Sequence, residues 1–375
     1  MLVIGLPTTP VCTALPLAAG RIVIVVMLAL AAMLCAACSS PDDPVKVLAD
    51  YNERIARALD ARLPTPTATR VPTWPTGDDI LQNATDLRIT VFGGPDFGRC
   101  SLLRELSTRS SSADRIQTPP QRLLYEMRLL RGLRQCGELT AADLANGTPA
   151  RREFATNVIH VGEIKRRDLP VIYWNATFGA RELRDLFSVG ARPLRMRQVP
   201  SADEAANALS WLAALGRLTP DDPLPATEAL EQQYLQLAGN KLGGRTWLTI
   251  DLASRELDRS SVLLEQAAAT QPPCPNGRPG PTADSLQRAY TEIYLSRIDP
   301  WLASVSRGAW MLTEALEQLW QAQQITPPPA IVRYRARVWA KERGSLMQDY
   351  DTAVRRHTHA WQAALGPCGY PPAAR

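Results

Sequence analysis

The stretch DPWLASVSRGAWMLTEALEQLWQAQQITPPP, residues 299–329, decides the fold class. Asp299-Pro300 reads as a helix start, and Leu302, Val305, Ala309, Leu312, Leu316 and Leu319 follow at alternating spacings of three and four. That spacing lines them along one helical face, an apolar seam that has to bury against other helices. Thr326-Pro327-Pro328-Pro329 stops the helix, because proline has no amide to donate. A second stripe runs through Leu346, Tyr350, Val354, His357, Trp361 and Leu365 and ends at Gly366. Two long amphipathic helices across a short proline-rich link predict a closing αα-hairpin.

Upstream the helical period persists. Thr118 caps a helix begun by Pro119, with Leu123, Met127, Leu130 and Leu133 on one stripe and Cys136 at its end. Cys100 opens a shorter helix through Leu102, Leu103 and Leu106. Ser201-Ala202-Asp203-Glu204 has capping-box form ahead of Ala208, Leu209, Leu212 and Leu215, and Gly216 is a natural stop. Nearer the start, Leu48, Tyr51, Ile55 and Leu59 mark a short amphipathic helix. The Pro/Thr segment Pro64–Thr76 after it is extended, either a semi-rigid spacer or a strap lying on the body. Leu87-Arg88-Ile89-Thr90-Val91-Phe92 alternates with period two and is the best strand candidate. The expected fold is mainly α, a multi-helix array or bundle with at most minor β, ending in the hairpin.

Residues 21–38 place the chain in the cell. Arg21 precedes an apolar run from Ile22, small residues surround Cys38, and the chain turns polar at Pro41-Asp42-Asp43. This is the layout of an export signal, residues 1–37, cut before a cysteine whose thiol is acylated. Cys35 stands three positions before Cys38, where an aliphatic residue is usual; the alternative is an uncleaved anchor helix. Either arrangement puts the rest of the chain in the periplasm. Behind the signal, the reading assigns 38–78 to a tether helix and strap and 79–375 to a helical domain of one body or two lobes, 79–200 and 201–375. Ser39 and Ser40 follow the lipid site, with no aspartate of the kind that retains lipoproteins at the inner membrane, so the expected address is the outer membrane's inner leaflet.

Composition narrows the partners. A formal charge of +5 is weak for this length and forms no basic tract, so neither nucleic acid nor nucleotide is an expected ligand. Four cysteines remain after Cys38: Cys100, Cys136, Cys274 and Cys368. In an oxidising compartment an even number favours disulfides over buried thiols. Of three possible pairings, Cys100–Cys136 and Cys274–Cys368 are favoured because each brackets a contiguous helical block.

Three segments carry a family resemblance. Arg122-Leu123-Leu124-Tyr125-Glu126 with Leu129-Leu130 and Cys136, then Leu169-Pro170 with Trp174-Asn175-Ala176-Thr177, and finally His359-Ala360-Trp361-Gln362 with Cys368-Gly369 resemble a family of proteobacterial lipoproteins catalogued as domain of unknown function 3080. The resemblance spans most of the mature chain. It implies an envelope lipoprotein and carries no activity with it.

Chemistry-bearing clusters are sparse. His160 and Glu163 share a helical face, yet no third ligand is signalled nearby, so no metal and no cofactor are expected. His357 continues an apolar stripe and reads as a core residue, while His359, two positions on, faces elsewhere. Gly239–Thr246 places its lysine ahead of the glycine pair, against the order of a phosphate loop. Asp96-Phe97-Gly98 lacks the companion motifs of a kinase. Trp174 and Asn175 are the candidate binding pair: they could line a groove, or be a buried indole beside an asparagine that caps the next helix. With no nucleophile motif and no catalytic residue assigned, the expected function is a non-enzymatic binding, assembly or scaffold lipoprotein with an envelope protein as partner. The alternative is an envelope hydrolase with a dispersed active site, and a pocket decides between them: convergent acids, bases and histidines for an enzyme, an exposed apolar groove for a partner.

Overall fold

The computed structural model describes residues 42–85, 100, 118–190, 192–219, 221–238 and 241–370, and every regular element among them is helical. The leader with Cys38, the strand candidate Leu87–Phe92 and the short helix through Leu102–Leu106 lie outside the described residues. In chain order the helices are α1 (Pro44–Ala58), α2 (Gly77–Ile80), α3 (Pro119–Thr140), α4 (Asp143–Asn146), α5 (Pro149–Ala176), α6 (Arg181–Phe187), α7 (Asp203–Leu215), α8 (Thr227–Leu237), α9 (Leu242–Thr270), α10 (Pro281–Ala289), α11 (Asp299–Gln321), α12 (Pro329–Val338) and α13 (Leu346–Leu365). Among these residues no helix is long and apolar enough to cross a membrane.

α9 is the axis of the body. It packs along α13 and also meets α1, α6 and α11, which is why Trp247, Ile250, Ala253, Leu257 and Leu264 are all fully buried. α11 lays its seam mainly on α7, with Leu302, Val305, Ala309, Leu312, Leu316 and Leu319 in the core. α3 and α5 form an antiparallel pair whose ends near Leu123, Leu124, Tyr173 and Trp174 join this core. Their far halves enclose a smaller cluster of Tyr125, Leu129, Leu133, Val158 and Val161 beside Cys100 and Cys136.

Asp299-Pro300 opens the long α-helix α11, but no break precedes it, because the chain is helical from Pro281 onward and passes through a wide π-turn segment, Tyr290–Ile298. Pro300 cannot supply the i to i−4 hydrogen bond, and the broadened turns sit immediately ahead of it. The link of the closing hairpin is not short, contrary to the expectation from the sequence. The ten-residue helix α12, buried through Ile331, Tyr334 and Val338, stands between the two long helices, and α13 takes α9 as its main partner. α11 and α13 still touch, through the Ser306 and Tyr350 hydroxyls at 2.6 Å.

The first helix belongs to the body. Leu48, Tyr51 and Ile55 are fully buried against α9, α10 and the π segment, so α1 is packed core and not a free tether. The Pro/Thr segment after it is a strap. Arg259 donates to the Pro64 carbonyl at 2.9 Å and Arg255 to that of Thr67 at 2.9 Å, while Arg70 reaches Asp349 at 2.9 Å. An extended proline segment leaves its carbonyls unpaired internally, and arginines of α9 occupy them. The strap ends in Trp74, stacked on Phe187 at 5.3 Å between ring centroids. Two disulfides join Cys100 to Cys136 and Cys274 to Cys368, each with Cα atoms 5.3 Å apart.

Candidate functional site

An apolar groove of about 480 Å³ runs between α3, α5 and the segment 215–224 that follows α7. Its α3 wall is Leu123, Met127, Leu130 and Leu133, the same stripe the periodicity identifies as a packing seam. Leu123 and Leu133 are buried by neighbours, while Met127 and Leu130 stay partly open. α3 carries more apolar surface than one interface consumes, since Leu124, Tyr125, Leu129 and Cys136 fill a second face. α5 contributes Val158, Ile159, Leu169, Pro170 and Tyr173, and the third wall is Leu215, Leu218 and Leu224.

Glycines shape the floor. A β-carbon on Gly137 would lie 4.0 Å from Val158 and one on Gly162 3.9 Å from Leu133, so these positions are open rather than crowded. Gly216 is different: a β-carbon there would fall 2.2 Å from the Tyr173 ring. Its backbone is ordinary right-handed helix, with φ −69° and ψ −12°, so ring packing, and not a left-handed stop, requires glycine. Tyr173 is held in place by donating to the Leu212 carbonyl at 2.8 Å, and burial pushes its phenol above the usual range.

A buried ion pair aligns α3 with α5. Lys165 meets Glu126 at 2.8 Å, both side chains at most 4% exposed, and Gly162 faces Leu133. In this antiparallel register Arg131 and Arg134 of α3 and Glu163 and Arg166 of α5 all line the groove. Arg131 donates to the Asp222 carbonyl, and Arg134 pairs with Asp221 at 2.7 Å, where Asp221 is 80% exposed. Thr219 supplies two hydrogen bonds to the Asp222 carboxylate, from its amide and its hydroxyl, and holds that group below the usual carboxylate range.

The candidate binding pair is elsewhere. Trp174 is fully buried, stacked on Phe178 at 4.8 Å, with its indole N–H donating to the Ile80 carbonyl at 2.6 Å. Asn175 accepts from the Gln82 amide at 2.9 Å and donates to its carbonyl at 2.7 Å. The pair neither lines a groove nor caps α6; it clasps residues 80–82, because a side-chain amide satisfies both backbone groups of an extended residue. His160 and Glu163 are exposed on α5. Among the described residues no group of three or more His, Cys, Asp or Glu side chains could hold a metal.

His357 is fully buried and His359 exposed. Trp361 donates to the Tyr51 oxygen at 2.6 Å, and Tyr51 lies 2.8 Å from His357 Nε2. The hydroxyls of Ser260 and Ser261 lie 3.3 and 3.2 Å from Nδ1. Both serines already donate to carbonyls of their own helix, at 3.0 and 2.7 Å, so Nδ1 carries the proton and Nε2 accepts from Tyr51. Burial lowers the imidazole pKa to about 3, partly offset by the Leu257 carbonyl.

Gly243 and Gly244 of the weak phosphate-loop candidate serve packing. A β-carbon on Gly243 would meet the Phe187 ring at 2.3 Å, and one on Gly244 the Ser188 carbonyl at 1.8 Å. Asp96-Phe97-Gly98 lies outside the described residues.

Among known proteins, no curated protein and no solved structure matches the chain. The family model described as protein of unknown function (DUF3080) matches residues 48–372, a span that takes in α3, α5, the strap and the His357 cluster alike. The chain belongs to that family.

Proposed function

We propose that this protein is a periplasm-facing lipoprotein, anchored through acylated Cys38 at the inner leaflet of the outer membrane, that acts by binding another envelope component without catalysing its conversion. The observation that carries this reading is the groove: its walls are mainly leucine, methionine, valine and isoleucine, and its charged lining residues are three arginines and one glutamate. Apolar concave surface of this size binds, and specificity comes from a few placed polar groups. The leader before Cys38 and the two disulfides support export to an oxidising compartment.

A hydrolase would need a nucleophile within reach of a base and of substrate. The serine and histidine contacts around His357 have that composition, but His357, Ser260 and Ser261 are all fully buried and both hydroxyls donate to backbone carbonyls. That cluster is a core network.

Two measurements test the proposal. In cells fed labelled fatty acid, the wild-type chain should incorporate label and Cys38→Ala should remain an unlabelled precursor; equal labelling removes the anchor. A photo-crosslinking residue at Ile159 should capture an envelope component, whereas one at the exposed Leu235 should not. Equal capture at both positions defeats the groove as the binding site.

A further inference from the structure

We infer that the groove between α3 and α5 takes a single-chain anionic amphiphile, its acyl chain in the apolar trough and its carboxylate or phosphate on the lining arginines. This deepens the binding reading above by naming the ligand class. The trough volume of about 480 Å³ lies in the range of one small-molecule ligand. Gly137 and Gly162 open the floor where side chains would otherwise close it.

Polarity along the trough selects the head group. Arg131 and Arg134 line the trough from α3 and Arg166 from α5, against Glu163 as the one acid in the lining. Arginine recognises carboxylate and phosphate through paired N–H donors. Arg134 is the exchangeable member. Its partner Asp221 is 80% exposed, and an exposed pair contributes little, so an incoming anion can replace that carboxylate. Arg131 donates to the Asp222 carbonyl, and the Asp222 carboxylate beside it is already held by the Thr219 amide and hydroxyl. The apolar lining includes Val158 and Ile159 from one part of α5 and Leu169 and Tyr173 from another.

The test uses the full chain in lipid nanodiscs and a palmitate carrying a photoactivatable diazirine. Crosslinks should map to α3, α5 and residues 215–224. Palmitate and a lysophosphatidylglycerol should each compete about tenfold better than uncharged hexadecanol, the scale of one lost charge-assisted hydrogen bond, and their ratio tells a carboxylate source from a phosphate source. Gly162→Leu should fill the trough and abolish labelling while leaving the circular dichroism unchanged. If that variant does not fold, the paired change Arg131→Gln and Arg166→Gln on the rim carries the test, with anion preference lost. Labelling outside the groove, equal competition by hexadecanol, or full labelling of folded Gly162→Leu overturns the inference. None of these outcomes touches Cys38 acylation or capture of another envelope component at Ile159, so failure here leaves the broader proposal standing.

Discussion

His357 shows how one side chain reports its surroundings. Its folded pKa of about 3 lies below the ordinary 6.5, so between those values the unfolded chain binds a proton that the folded chain refuses. Stability from the neutral imidazole is complete above pH 6.5 and is lost as pH falls towards 3. The loss amounts to about 5 kcal/mol at 1.36 kcal/mol per unit. His357→Gln keeps a polar group and does not titrate, so urea unfolding at pH 7.5 and pH 4 should show a smaller acid loss than wild type; an unchanged difference would assign the titration to another group. His357→Asp puts a carboxylate into the same network and should cost a few kcal/mol, whereas exposed His359→Asp should cost little. Thermal unfolding of the two variants separates them.

At the scale of elements, the buried Lys165–Glu126 pair aligns α3 with α5. Removing one partner breaks a buried ion pair, and Lys165→Met should cost a few kcal/mol. Adding Glu126→Leu replaces the buried carboxylate by an apolar side chain and should restore part of that stability. Chemical denaturation of both variants checks this, and a double variant no better than the single would show that the pair does more than cancel charge. Elsewhere α9 organises its neighbours through polar contacts as well as burial: Arg255 and Arg259 hold the strap, and Arg356 of α13 reaches back to Glu265 at 2.7 Å.

Over the whole molecule, Cys274–Cys368 closes 94 residues and ties the end of α9 to the end of α13, while Cys100–Cys136 closes 36 beside the groove. Loop-closure entropy gives about 5 and about 4 kcal/mol respectively as upper contributions. Replacing Cys274 and Cys368 together by alanine should lower the unfolding temperature more than replacing the other pair, and non-reducing peptide mapping should recover both linkages from wild type. Identical melting of all variants would contradict the constraint. Much of this architecture is legible in the chain. The stripes Leu302–Leu319 and Leu346–Leu365 follow from helical period alone, which is local geometry, and so does the burial of His357 against the exposure of His359. Cysteine spacing relative to helix ends suffices for the pairing. What period cannot say is which stripe meets which. The partner of α13 is α9, reached only because α12 intervenes; Trp174 and Asn175 clasp residues 80–82; and the stripe Leu123–Leu133 is half core and half open wall. Those choices belong to the tertiary structure, because an apolar face states that it must be covered and leaves open by what, and a groove exists only where two or three distant segments fail to cover one another.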